Sequence, residues 1–264
     1  MKRQFEQLTK KWGFYPWIEP IYNFPSVVRG AYLYYSRSRK EFVIIASAMR
    51  SGSTLLKALL AQAPEIEQLS EQRFQLPQNF FTVYGRLASL SEQPIIVLKH
   101  PANFNDFRTY PILPKVPFKM IILVRNPVDT IFSIQTMQEK RNDPKPLHEI
   151  IEYWKIVHRH LLKLEGPDFF RLRYADLVGQ PETWTKELFQ FIGSSQEEGV
   201  SSYQSPERSN WEWGKDDGGE VIKKLAVQKV EKDYSGHQEI LDLVYQDSEL
   251  LSLAAAFELE LPGK

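Results

Sequence analysis

Apolar residues fall into short dense runs separated by stretches with helical spacing. Phe42–Ile45, Pro94–Leu98, Phe118–Val124 and Phe169–Leu172 read as buried strands, with Glu65–Ser70 as a shorter one. Between them, Leu55, Leu56, Leu59 and Leu60 repeat at helical intervals, as do Phe80, Val83, Leu87 and Leu90. Pro127 suits a first helical turn, and Val128, Ile131, Phe132 and Ile134 continue from it. Leu147–Leu164 predicts a longer helix, Glu182–Ile192 another, and Glu239–Leu259 one closing amphipathic helix. Strands alternating with helices predict an α/β fold: a three-layer sandwich whose central parallel sheet is covered on both faces. Ligands of such sheets lie at the carboxyl ends of the strands.

That edge gathers the chemically active residues. Arg50, Glu71, Lys99, His100 and Arg125 each stand at or just past the end of a predicted strand. The strongest stretch is Phe42–Leu56, FVIIASAMRSGSTLL: strand, small-residue turn, helix start. The first N–H groups of a helix have no intrahelical partner and its dipole favours an anion, so the turn is built to hold phosphate. Gly52 lets backbone approach a ligand, Ser51, Ser53 and Thr54 carry hydroxyls, and Arg50 brings a planar cationic fork. This P-loop-like nucleotide site lacks the G-x-x-x-x-G-K-[ST] signature, since Gly-Ser-Thr stands where Gly-Lys-Ser/Thr is needed. Met120–Val124 ends in Arg125 and not in a magnesium-binding Asp, which disfavours an ATP-dependent kinase. A second anion-binding stretch is Val124–Ser133, VRNPVDTIFS, with Arg125 leaving a strand and Ser133 two turns into a helix. Alone, Asp129 reads as a first-turn helix stabiliser and Ser133 as a solvated hydroxyl. Together with the first loop, two phosphate sites on one sheet imply a nucleotide phosphorylated at two places.

RSGSTLL and RNPVDTIFS together resemble the two cofactor signatures of the sulfotransferases that use 3′-phosphoadenosine-5′-phosphosulfate (PAPS). LRYADLVGQPETWTKELFQFIG is similar to a further segment of that family, and the likeness runs from about Phe42 to Lys215. The resemblance implies that Arg50, Ser51, Gly52, Ser53 and Thr54 grip the 5′-phosphosulfate, Arg125 and Ser133 grip the 3′-phosphate, and Tyr174 lies against the nucleotide. The tyrosylprotein and carbohydrate branches are the nearest likeness. By that likeness Glu71 is the general base, Lys99 with Arg50 and Ser209 stabilises the transferring group, the PERS loop ending in Ser209 closes over the nucleotide, and Lys215 is a further phosphate ligand. His100 is the alternative base, one residue short of the spacing in the cytosolic small-molecule branch. Met137 stands where the tyrosylprotein branch has a second basic residue. The implied reaction moves a sulfuryl group from PAPS to an acceptor hydroxyl on a sugar, lipid, natural product or tyrosine. It leaves adenosine 3′,5′-bisphosphate and needs no metal. A non-catalytic nucleotide-binding module is the rival from another class; Glu71 and Lys99 both being present counts against it.

Composition narrows this. A chain of 264 residues suits one domain with additions: an N-terminal extension over residues 1–40, and a polar stretch over 193–219 that reads as a lid. Zero net charge disfavours a general nucleic-acid binder. Absence of cysteine excludes disulfides and a thiol nucleophile, and fits a cytoplasmic location. No apolar run reaches the ~18–20 residues of a membrane span. The first forty residues are aromatic and basic (Trp12, Trp17, Tyr32, Tyr35, Arg39 and Lys40 among them), which suits a helix packing on the domain or a surface that meets lipid. His158 and His160, two apart on a helix, read as surface residues. Phe74, Phe80, Phe81, Tyr84, Phe104, Phe107 and Tyr110 suggest an aromatic-walled acceptor cleft.

Overall fold

The structure, a computed structural model, describes residues 21, 23–36, 39–67, 80–99, 116–204, 224–228, 234 and 237–262. Four strands form one sheet, β1 (Glu41–Ser47), β2 (Ile95–Lys99), β3 (Lys119–Val124) and β4 (Phe169–Arg173). All pairings are parallel and the spatial order is β2-β1-β3-β4. Val43 sits opposite Val97 on one side and Lys119 on the other. β1, β2 and β3 are near-continuous apolar runs because parallel strands are covered on both faces; every residue of β1 after Glu41 is buried, whereas β4, FFRLR at the sheet's edge, buries only Leu172 fully.

Alternation then deals the side chains to two cores. Phe42, Ile44 and Ala46 join Ile122 and Val124 on the face covered by α3 (Phe80–Ala88), α4 (Pro127–Lys140) and α5 (Leu147–Leu162). Val43 and Ile45 join Ile121 and Leu123 on the other face, under α2 (Ser53–Leu60), α6 (Tyr174–Gly179) and α7 (Pro181–Ile192). The three-layer parallel architecture expected from the apolar pattern is therefore present. On the second face, buried Lys57 of α2 pairs with Glu67 at 2.9 Å and donates to the Val97 carbonyl at 2.8 Å, tying the helix to β2. One connection leads from β1 to β2 on one side and the next returns across β1 to β3, so a crevice opens outside the carboxyl ends of β1 and β3.

Before β1, α1 (Phe24–Tyr35) packs antiparallel on α3. Gly30 and Gly85 make the crossing: a Cβ on Gly30 would lie 1.9 Å from the Phe81 carbonyl oxygen, and one on Gly85 2.5 Å from that of Ser26.

Four expectations change. The closing helix is two, α8 (Gln238–Gln246) and α9 (Ser248–Ala256), because Asp247 leaves helical geometry. Its carboxylate accepts from the Leu250 N–H and from Lys155 of α5, both at 2.9 Å. Glu65–Ser70 forms no strand within its described part; Ile66 makes one isolated bridge to Ile95, and residues 68–70 lie outside the described residues. Tyr84 does not line a cleft: it is buried between Phe42, Phe80 and Tyr34, and its hydroxyl accepts from the Lys40 N–H at 2.6 Å. Phe80 and Phe81 pack in the same cluster, whereas Phe74, Phe104, Phe107 and Tyr110 lie outside the described residues.

His158 is the fourth correction. It is wholly buried, stacked on Trp154 with ring centroids 3.6 Å apart, and Phe257 meets it edge-on. Residues four apart share a helix face, so His158 follows Trp154 into the core. Burial pushes its imidazole down to about 3, opposed by a hydrogen bond to the Trp154 carbonyl. His160 is half-buried.

Candidate active site at the carboxyl edge of the sheet

The turn after β1 is tightly wound. Arg50 has φ 66 and Gly52 has φ 93, so two of three consecutive residues are left-handed. Glycine adopts that conformation freely, but for arginine it costs about 1–2 kcal/mol. The surroundings hold the strained residue on both sides. The Met49 N–H donates to the Tyr153 hydroxyl of α5 at 2.7 Å, and Arg125 Nη1 donates to the Arg50 carbonyl at 3.2 Å. Burial raises the Tyr153 phenol well above its ordinary value, so it stays a neutral partner.

Gly52 caps α2 without a side-chain hydrogen bond, which leaves the first N–H groups of α2 facing the crevice with no cap of their own. Only glycine fits here. A Cβ on Gly52 would lie 2.4 Å from the Tyr174 ring, so that ring lies directly against the turn. The Arg125 guanidinium stacks on the same ring, 4.2 Å from its centroid. Lys99, at the carboxyl end of β2, donates Nζ to Thr54 Oγ1 at 2.8 Å, placing its ammonium at the mouth of α2. Arg50 Nε donates to Ser133 Oγ at 3.0 Å, joining the first turn to α4. Ser51 Oγ is buried and has no hydrogen-bond partner among the described residues. The crevice between β1 and β3 thus collects three cations, a helix start and several hydroxyls, a donor set suited to phosphate oxyanions.

A family model described as the sulfotransferase domain matches residues 40–205, more than half of the chain. The chain belongs to that family. Among solved structures, the sulfotransferase domain from the curacin biosynthetic pathway is similar with a TM-score of 0.56 at 18% identity, covering 84% of this chain and 99% of that one. The sulfotransferase domain of the Synechococcus PCC 7002 olefin synthase gives 0.55 at 18% identity, covering 86% and 98%. At such identity these likenesses establish the fold. No curated protein matches the chain.

Of the residues singled out in the sequence, the sulfotransferase brings Arg50, Ser51, Gly52, Ser53, Thr54, Lys99, Arg125, Ser133 and Tyr174 to one edge. Glu71, His100, Ser209 and Lys215 lie outside the described residues. Three residues to which sequence reasoning gave no part in the site also serve this edge. Tyr153 holds the first turn. Asp129 is more than a first-turn stabiliser: its Oδ2 accepts from Arg125 Nε and Nη2 at 3.3 and 3.2 Å, and its Oδ1 accepts from the Tyr234 hydroxyl. The i, i+4 spacing of Arg125 and Asp129 was a visible signal; Tyr234, 105 residues further on, gave none. Burial and Asp129 together push the Tyr234 phenol up, so it acts as a donor throughout the neutral range.

Proposed function

We propose that this sulfotransferase takes its sulfuryl group from PAPS and delivers it to the hydroxyl of an acceptor: a sugar, lipid, natural product or tyrosine. The observation that carries the reading is the Arg50–Ser133 hydrogen bond. It joins the stretch after β1 to the stretch after β3, which supports the reading that both hold a single ligand carrying two phosphate groups. The residues fit such a ligand on the features already given: α2 N–H groups without a side-chain cap, no Cβ at position 52, a stacked Tyr174 and a buried Ser51 hydroxyl without a hydrogen-bond partner among the described residues.

In this reading the backbone and hydroxyls of Ser51–Thr54, with Arg50, hold the 5′ end of the donor. Arg125 and Ser133 hold the 3′-phosphate, Tyr174 lies along the nucleotide, and Ser209 and Lys215 close over it. PAPS supplies an activated sulfur whose bond to the 5′-phosphate oxygen breaks as the acceptor oxygen bonds to it. Lys99 and Arg50, with the Ser209 hydroxyl, meet the negative charge spread over the transferring sulfuryl group, which pre-placed groups stabilise better than water can. Glu71 takes the acceptor's proton, with His100 as the second choice; a positioned base typically contributes ~10²–10⁴-fold. The whole chain acts as one catalytic domain.

Calorimetric titration with adenosine 3′,5′-bisphosphate, beside AMP and magnesium-ATP, tests the donor assignment. The bisphosphate should bind at least about tenfold more tightly than AMP, and Arg125→Ala should remove that difference, since hydrogen bonds to a charged group contribute ~1.5–3 kcal/mol. Preference for magnesium-ATP, or no binding of any of the three, would sink the assignment.

A further inference from the structure

Helix α1 is apolar on two sides. Its inner side packs on α3 through Gly30, Leu33 and Tyr34. Its outer side carries Phe24, Val28, Tyr32 and Tyr35, which with Ile21 just before the helix are between 51% and 78% exposed. The steps of three and four residues keep all five within an arc of about 100°. A helix with only Arg29 charged along its length is normally buried all round, so the outer stripe needs a partner.

We propose that this stripe docks the protein on an anionic phospholipid surface. Charge selects this partner over a second copy of the chain. The first forty residues hold eight lysines and arginines against two acidic residues, Glu6 and Glu19, although the whole chain balances at 33 of each sign. That surplus would repel a second copy placed face to face, and it complements the negative headgroups of a cytoplasmic leaflet. Trp12, Phe14, Tyr15 and Trp17 precede the helix, side chains that favour the membrane–water interface. Apolar burial and cationic attraction are the two signals that together hold a protein at a bilayer. The twelve residues of α1 span about 18 Å, short of the ~30 Å hydrocarbon core, and no helix among the described residues is long and apolar enough to cross a membrane. The helix therefore lies in the plane of the interface, with its stripe down.

Co-sedimentation of the full chain with vesicles tests this. Binding to vesicles of equal phosphatidylglycerol and phosphatidylcholine should exceed binding to phosphatidylcholine alone at least tenfold, as an order of magnitude, and should weaken in ~0.5 M salt. The triple variant Phe24→Ser/Val28→Ser/Tyr32→Ser should bind roughly tenfold more weakly with an unchanged circular dichroism spectrum. Lys10→Glu/Lys11→Glu leaves α1 intact and should weaken binding to the anionic vesicles alone. The proposal is overturned if neither vesicle binds, or if both variants bind as the parent does. It is equally overturned if sedimentation velocity finds a dimer that the triple variant turns into monomer, because the stripe is then covered by a second copy.

Discussion

Two turns leave neighbouring strands at the same edge of the sheet and begin two unlike helices. After β3, Asn126 caps α4 by accepting from the Asp129 N–H at 2.8 Å, Pro127 fills the first helical position, and Asp129 sits in the first turn. That helix start satisfies itself. After β1, the turn passes through two left-handed residues and ends on a glycine that caps nothing with its side chain. The donors of α2 stay available for a ligand, and the strain at Arg50 is held by groups brought from α5 and from the turn after β3. Two turns with the same place in the topology thus do different work. One presents the Arg125 guanidinium beside a self-capped helix start, and the other presents uncapped backbone N–H groups beside Arg50.

Breaking that contrast has ranked consequences. Lys99→Met removes the ammonium at the mouth of α2; kcat should fall ~10²–10³-fold while bisphosphate affinity changes only a few fold. Equal losses in both would make Lys99 a binding group. Next, Gly52→Ala drives a Cβ into the Tyr174 ring from a positive φ, and displacement of the turn should weaken bisphosphate binding by about 10²-fold by calorimetry. Asn126→Ala, the corresponding change in the other turn, should lower stability by ~1 kcal/mol, read as a shifted denaturant midpoint, with turnover nearly unchanged. If Asn126→Ala cost as much turnover as Gly52→Ala, the contrast would fail. Smallest of all, Tyr234→Phe removes one hydrogen bond from the Asp129 that orients Arg125. Donor affinity should drop a few fold, in line with a net ~0.5–1.5 kcal/mol for one hydrogen bond.

The apolar runs identified β1, β2, β3 and β4 to within two residues at each end, and the first three most plainly because a strand buried on both faces has few polar positions to blur it. The rule that ligands gather at carboxyl ends brought Arg50, Lys99 and Arg125 together before the strand order was known. What stayed hidden depends on distant partners. The break at Asp247 is fixed by Lys155, 92 residues earlier, and the role of Tyr234 by Asp129. Periodicity sees neighbours along one helix and cannot see these. His158 was legible in principle: its i+4 relation to Trp154 lies on the apolar face of α5, and only its polar side chain argued for the surface.

That buried imidazole bears on how the enzyme's acid behaviour is to be read. Its folded value of about 3 lies below the ordinary 6.5, so below pH 6.5 the unfolded chain takes up a proton that the folded chain refuses. Stability contributed by the neutral ring is complete above pH 6.5 and declines as pH falls toward 3, by at most about 1.4 kcal/mol per pH unit. The melting midpoint should therefore drop on acidification between pH 6.5 and 4.5, and His158→Leu should flatten that slope. If Glu71 or His100 is the base, as proposed, an acid limb in the rate profile has two sources, that base and the core histidine. Rates in a His158→Leu background isolate the first, and the midpoint of that limb separates a carboxylate such as Glu71 from an imidazole such as His100.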